Sequence, residues 1–453
     1  MGPPLSAEEM EQCLELLQRL ADNYRAQEPH PRLHSLIRKL HLEGKKRLHR
    51  ERLDFREQMR RQDRALLATT ELVQHQSDAP LLALPGPQGE RLLNEPEHCY
   101  VCKEPYRQVH FFYHFLCPTC AAFNYEMRDL HADLKGRIAL VTGGRVKIGH
   151  QLVLRLLRDG AQVLVSTRFP QAAVRRFAEE PDFPEWRERL RVFGLDLRNL
   201  HAVEHFCDQL VEQLSHLDIL VHNAAQTIQR PPGFYRELLS QENQPLAALP
   251  AAQQELVGRL VPPSSSDSGL DLSRDVLPLD RFHDREERVD HRDINSWLLP
   301  LEDVSTLELV EVQLVNSIAP FILNRRLKPL LLRSPFARRF IVNVSAMEGQ
   351  FARNKTIYHP HTNMAKAALN MMTHTSAPGY VREGIYMNSV DTGWVTDENP
   401  TPKRLRRQEQ GFFAPLDIVD GMARIYHPIA WGVERPEEPH WGQFLKDYAP
   451  CKW

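Results

Sequence analysis

Thr142, Gly143, Gly144 and Gly149 make a glycine-rich turn, TGGRVKIG, between the apolar run Ile138, Ala139, Leu140, Val141 and the helical spacing of Ile148, Leu152, Val153, Leu156 and Leu157. Such a turn lets a phosphate approach free backbone N–H groups at a helix N-terminus, where the helix dipole favours negative charge. Without other signals it also fits a tight strand-to-helix connection. A second chemical group is CYVCKEPYRQVHFFYHFLCPTC, in which Cys99 and Cys102, then Cys117 and Cys120, form two Cys-x2-Cys pairs. Each pair presents two thiolates to one ion, and the two together complete a closed tetrahedral zinc site. Protein thiolates fill all four positions, so the zinc is expected to be structural. His110 and His114 lie between the pairs and are read as surface or packing residues.

The elements that must position these groups follow from composition and periodicity. The chain has 453 residues, 42% hydrophobic and 26% charged, which is the composition of a globular protein with room for two or three domains. Its formal net charge of -2 gives no overall electrostatic case for nucleic acid or a membrane surface. The start, MGPPLSAEEMEQCLELL, lacks a basic segment before an apolar core and so does not resemble a secretory signal. No apolar run reaches the roughly 18 residues of a membrane helix. Seven cysteines, four of them paired in this way, point to metal binding in a reducing, cytoplasmic compartment rather than to disulfides.

Residues 6–76 are charged and nearly free of glycine, with apolar residues at helical spacing. Ser6 and Glu9 form a capping box for the first helix. The basic stretch 33–65 interleaves Lys and Arg with Glu and Asp and reads as a solvated helix face more readily than as a nucleic-acid surface. A proline-rich stretch, 77–96, is predicted to be a linker, so that residues 1–96 form a helical region plus linker and 97–127 a zinc module. From 128 to 453 strands alternate with helical patterns. RIALVT, AQVLVST, RLRVFGLDL, LDILVHNAA, RRFIVNVSA and IYMNSVDTGW predict a doubly wound parallel α/β sheet. Residues 228–303 interrupt it with a proline-, serine- and charge-rich insertion, expected to serve as a lid and to be disordered over 258–275.

Over about residues 134–453 the chain resembles the short-chain dehydrogenase/reductase family, with the motifs in order. The family glycine motif corresponds to Thr142, Gly143, Gly144, Arg145, Val146, Lys147, Ile148 and Gly149, with Lys147 where the middle glycine usually stands. The second strand ends at Ser166, Thr167, Arg168 without the acid that would bind an NAD ribose. Arg168, with Arg145, could instead pair with a 2'-phosphate, which favours NADP over NAD. Asp196 and Leu197 resemble the adenine contact after the third strand. His222, Asn223, Ala224 and Ala225 match the NNAG motif, with His and Ala at its two ends. Asn316, Ser345 and Lys366 correspond to the family's helix asparagine, active-site serine and ribose-binding lysine. Gly393 and Thr396 resemble the segment that closes on the cofactor, with Thr392 in place of its proline.

The departure of most consequence is at the family's catalytic tyrosine, four residues before Lys366, where this chain has Thr362. A threonine hydroxyl titrates far above the phenol value of about 10 and is a poor general acid. The nearest phenol is Tyr358, 13 residues after Ser345 and flanked by His359 and His361. Pro360 predicts a helix start there, leaving Tyr358 in the preceding loop. The resemblance therefore implies a Rossmann-like fold and an NADP-dependent oxidoreductase acting on a small carbonyl or alcohol, with Ser345, Lys366, Asn316, Tyr358 and Thr362 as candidate catalytic residues. The alternative is a catalytically impaired nucleotide-binding protein that meets partners through the zinc module or the N-terminal helices. Retention of Asn316, Ser345 and Lys366 favours the enzyme. A homo-oligomer is implied by the resemblance alone.

Overall fold

The computed structural model describes residues 5–23, 25, 30–76, 91–230, 232–258 and 292–453. Two compact units are present, Met1–Ala65 and Leu66–Trp453. In the first, helix Ala7–Asp22 begins with the expected capping box: the Glu9 N–H donates to Ser6 Oγ (3.2 Å) and the Ser6 N–H to Glu9 Oε2 (2.8 Å). The long helix that follows, Pro31–Ala68, carries ion pairs along its surface, such as Lys46 with Glu43 and Arg61 with Glu57. Neither helix buries a residue.

The larger unit contains all ten strands found among the described residues. Strands β1 (Leu92–His98) and β2 (Pro105–Gln108) form an antiparallel ribbon. Strands β3 (Ile138–Thr142), β4 (Gln162–Thr167), β5 (Leu190–Gly194), β6 (Ile219–His222), β7 (Arg339–Ser345), β8 (Ile385–Asp391), β9 (Phe444–Lys446) and β10 (Ala449–Cys451) form one sheet in the order β10-β9-β8-β7-β6-β3-β4-β5. Every pairing in it is parallel except β9 with β10. Order reverses between β3 and β6, the place where doubly wound sheets open a crevice at the carboxyl ends of their strands. Two apolar clusters cover the two faces. One places Leu152, Val153 and Leu156 with Ile425, Tyr426 and Ile429 against Val141 and Val163; the other places Phe206, Leu323 and Leu327 against Leu140 and Leu220. A run such as Ile138–Thr142 is buried throughout because helices lie on both sides of it, so it shows no alternation.

The six predicted strands are β3 to β8. The C-terminal pair, β9 and β10, was not legible: three-residue strands do not produce a periodic signal. Four further expectations need correction or placement. Residues 92–96 of the predicted linker belong to β1, where Pro96 is tolerated because the ribbon is narrow and its register breaks between Leu92 and Glu97. Residues 77–90 lie outside the described residues. In the insertion, 232–257 is built onto the sheet edge, with the Val192 N–H donating to Leu256 O (2.7 Å) and Val192 bridging to Val257. Of the stretch expected to be disordered, 259–275 lies outside the described residues. Lastly, Thr306–Leu332 is a helix long and apolar enough by composition to cross a membrane, against the expectation that no such run exists. The reason is a mixed sequence. Leu323, Leu327, Leu330 and Leu331 pack into the sheet core, while Arg325 and Arg326 on the other side pair with Glu204 and Asp208.

Candidate active site and four-cysteine centre

The crevice is held together across the β3/β6 switch point. Asn223 Nδ2 donates to the carbonyls of Thr142 (3.2 Å) and Gly143 (3.0 Å), and the Ala224 N–H donates to Thr142 Oγ1 (3.1 Å). Helix Lys147–Arg158 starts from Val146, whose side chain makes no capping hydrogen bond. Lys147 has φ of +54°, the left-handed conformation for which glycine is the usual residue. The lysine thus keeps the backbone shape of the family motif while adding a cation, at a conformational cost of about 1–2 kcal/mol. Gly149 is obligatory for packing: a Cβ there would stand 2.3 Å from Gly143 O and 2.4 Å from Asn223 Nδ2.

Around the turn, Arg145 is buried with its guanidinium 5.4 Å from the Phe169 ring centre, and exposed Arg168 lies 4.5 Å from that of Tyr235. The insertion places Glu242 within reach of the charges of Arg175 and Arg145. Its carboxylate accepts from the N–H groups of Gln171 (3.0 Å) and Ala172 (2.8 Å) at the start of helix Pro170–Ala178. Asp196 is engaged by Arg198, through Nε (3.0 Å), Nη2 (2.6 Å) and the backbone N–H (3.0 Å). Burial pushes the Asp196 carboxyl up, but these bonds hold it below its ordinary value. Leu197 packs into the sheet core.

At the reacting end, Ser345 closes β7, and Lys366 on helix Pro360–Val381 donates from Nζ to Val344 O (2.8 Å), the carbonyl just before the serine. Thr362 is buried one turn before Lys366. Ser345 Oγ and Thr362 Oγ1 are both buried with no hydrogen-bond partner. Burial lowers Lys366 to about 8, with the charge of Glu348 opposing the shift. Gly349 lets the loop after Ser345 press on this helix, since a Cβ would stand 2.7 Å from Lys366 O.

Asn316 lies in a π-helical turn, Leu314–Ile318, a distortion common at functional positions. It accepts from the Gln226 N–H (2.7 Å) and donates to Gln226 O (2.9 Å), clipping the loop after β6 to the helix. His222 is 2.9 Å from Asn324 Oδ1, and burial lowers it to about 4, so it is neutral.

Tyr358 lies apart from this cluster. The helix does start at Pro360, as its sequence predicts, and Tyr358 is exposed before it with its N–H on Thr356 Oγ1 (3.3 Å). His359 stacks on Trp297 at 4.0 Å, and His361 is buried with Nε2 3.8 Å from Glu308, beyond hydrogen-bond reach. Gly393 (φ +79°) donates to Asp391 Oδ1 (2.9 Å), and exposed Thr396 donates to Glu398 (2.7 Å). Thr396 shares a cleft with Lys147, Arg230, Asn295 and Arg404. Arg230, Arg404 and Glu242 were missed because their segments carry no periodic or motif signal.

The four thiols converge. All four Sγ atoms lie within 4.8 Å of one another, and Cys102 and Cys117 are 3.7 Å apart. A tetrahedral ion with Zn–S bonds of about 2.3 Å sets sulfurs roughly 3.8 Å apart, so the quartet fits zinc. The left-handed Lys103 (φ +68°) closes the first knuckle, its N–H donating to Cys99 O (3.0 Å). Around the thiols Leu72, Leu93, Tyr106, Phe112, Tyr113 and Leu116 form a third apolar cluster.

Comparison with known proteins bears on the family of the chain. Residues 137–243 match the family model described as short chain dehydrogenase. An uncharacterised protein of Acanthamoeba polyphaga mimivirus is 33% identical over 348 residues, 73% of this chain and 71% of that one. A short-chain dehydrogenase/reductase of Pyricularia grisea is 29% identical over 32% of this chain and 66% of its own length. A WW domain-containing oxidoreductase of Drosophila melanogaster is 36% identical over 22% of this chain and 24% of its own. The chain thus spans less than two thirds of these last two relatives. Among solved structures, an NADPH-bound carbonyl reductase from chicken fatty liver is 17% identical, with a TM-score of 0.45, over 72% of this chain and 100% of that one. With the sheet order, the glycine turn and these relatives together, the chain belongs to the short-chain dehydrogenase/reductase family of oxidoreductases.

Proposed function

We propose that this protein is an NADP(H)-dependent oxidoreductase that interconverts a small carbonyl compound and its alcohol at Ser345. The carrying observation is the orphaned hydroxyl of Ser345 beside Lys366, whose ammonium is tethered to the adjoining Val344 carbonyl. A nicotinamide bound in the crevice supplies or accepts the hydride. Ser345 donates a hydrogen bond to the substrate oxygen. Lys366 holds a proton that burial has loosened to about 8, close to the working range of a general acid. Thr362 has no such acidity and Tyr358 is exposed in the loop before the helix, so Lys366 is the proton source we favour.

For the dinucleotide, the residues fit. Lys147 and the first turn of its helix would hold the pyrophosphate, and Arg145 and Arg168 the 2'-phosphate. Glu242 already takes the nearby helix N–H groups, which leaves that phosphate to the arginine side chains. The four thiolates would hold one structural zinc, in keeping with a reducing, cytoplasmic setting.

A panel of aldehydes and ketones with NADPH tests this reading. Wild type is expected to oxidise NADPH in a substrate-dependent manner, with Ser345→Ala and Lys366→Met each reducing kcat by 100-fold or more and Tyr358→Phe by less than threefold. Loss of activity in Tyr358→Phe alone would move the acid to the phenol. NADPH should bind more tightly than NADH, and Arg168→Ala should narrow the gap about tenfold; an unchanged ratio removes Arg168 from the site. The purified protein should carry about one zinc per chain by elemental analysis.

A further inference from the structure

The first cysteine knuckle faces the crevice. Tyr100, between Cys99 and Cys102, accepts a hydrogen bond at Oη from the Trp394 N–H (2.9 Å), on the segment that follows Gly393. The same oxygen lies 3.6 Å from where a Cβ on Gly393 would stand. Lys446 brackets the contact, with Nζ 5.6 Å from the Tyr100 ring centre and 3.3 Å from Asp391 Oδ2. The other oxygen of Asp391 holds the Gly393 N–H. Cys99 and Tyr100 also share an apolar cluster with Ile148, from the glycine turn, and Val395. One knuckle therefore braces both the turn and the segment Gly393–Thr396, the two sides of the crevice to which the proposed dinucleotide binds.

We propose that Tyr100 is a positioning residue that makes metal occupancy of the four thiols and dinucleotide binding reinforce each other. This rests on the reading of the crevice as a dinucleotide site. The bound ion fixes the backbone of Tyr100 through its two flanking ligands, and Tyr100 fixes the N–H of Trp394 and the left-handed turn at Gly393. Order gained on the metal side need not be gained again when the dinucleotide arrives. By linkage the effect runs equally in both directions, and couplings of this kind amount to about 5- to 150-fold.

The experiment uses the full chain loaded with zinc. The rate of zinc transfer to a chromogenic chelator is measured with and without saturating NADPH, and the NADPH Kd is measured by fluorescence before and after zinc removal under reducing conditions. Wild type is expected to lose zinc at least fivefold more slowly with NADPH present, and to bind NADPH at least fivefold more weakly without zinc. Tyr100→Phe keeps the ring and all four thiols, so it should hold about one zinc per chain while its release becomes nearly indifferent to NADPH. Should zinc-free protein unfold, the release rates of the loaded proteins still read the coupling. Zinc release from wild type that ignores bound NADPH would overturn the inference, as would a Tyr100→Phe protein coupled as strongly as wild type. A zinc-loaded wild type that binds neither NADPH nor NADH would instead overturn the dinucleotide reading itself, and this inference with it.

Discussion

Lys366 carries the clearest electrostatic signature in the candidate site. It is buried and donates to a backbone carbonyl; burial disfavours its ammonium form and, against the opposing pull of the Glu348 charge, lowers its value to about 8. The unfolded chain retains that proton up to the ordinary lysine value of about 10.4. Between these limits the unfolded state binds more protons than the folded one, so the contribution of Lys366 makes stability rise with pH. Below about 8 both states are protonated and the contribution is flat. Lys366→Met should remove this rise: its midpoint of thermal unfolding, relative to wild type, should fall between pH 8 and 10 and hold steady between pH 6 and 7.5. A constant difference over the whole range would mean that the lysine is not held near 8. At this scale the sequence was partly legible. Ser345, Lys366 and Asn316 could be identified by motif, but the exposure of Tyr358 could not, since a residue before a helix start has no periodicity to place it.

Elements explain why a lysine is tolerated in the glycine turn. The left-handed backbone at Lys147 is required because the chain must leave β3, pass beneath Ala224 and enter the helix with Gly149 against Gly143 O. The lysine adopts it under strain. Lys147→Gly should therefore stabilise the fold by about 1 kcal/mol, a rise of roughly 1 °C in Tm, while weakening NADPH binding several-fold by removing a cation from the phosphates. Calorimetry and fluorescence titration separate the two effects. A variant that is more stable and binds NADPH as tightly as wild type would leave Lys147 with no part in phosphate binding. The sheet was legible at this scale because six of its strands, β3 to β8, lie side by side in a single buried layer, which leaves continuous apolar runs such as Ile138–Val141 and Ile219–Val221. Strands β1, β2, β9 and β10 were not, being short or mostly exposed.

On the scale of the whole molecule, the cysteine module belongs to the oxidoreductase core. Arg128, just after the helix that follows Cys117, makes a bidentate pair with Asp417 (2.9 and 3.0 Å) and reaches Asp420 (3.0 Å). Buried Arg424 donates to Asn124 (2.7 Å) and pairs with Asp447 (3.1 Å). Motif reading found the thiols but not these clamps, because a salt bridge between residues some 290 apart leaves no mark on local pattern. Residues Met1–Ala65 are the opposite case: helices Ala7–Asp22 and Pro31–Ala68 bury none of their side chains, and their ion pairs are exposed and screened by solvent. Leu66–Trp453 is a compact unit with its own apolar clusters and is expected to fold by itself. A chain beginning at residue 66 is expected to keep its zinc content, its NADPH affinity within twofold and its Tm within about 2 °C of the full chain. A loss of several degrees would show that Leu66–Trp453 does not fold as a unit by itself.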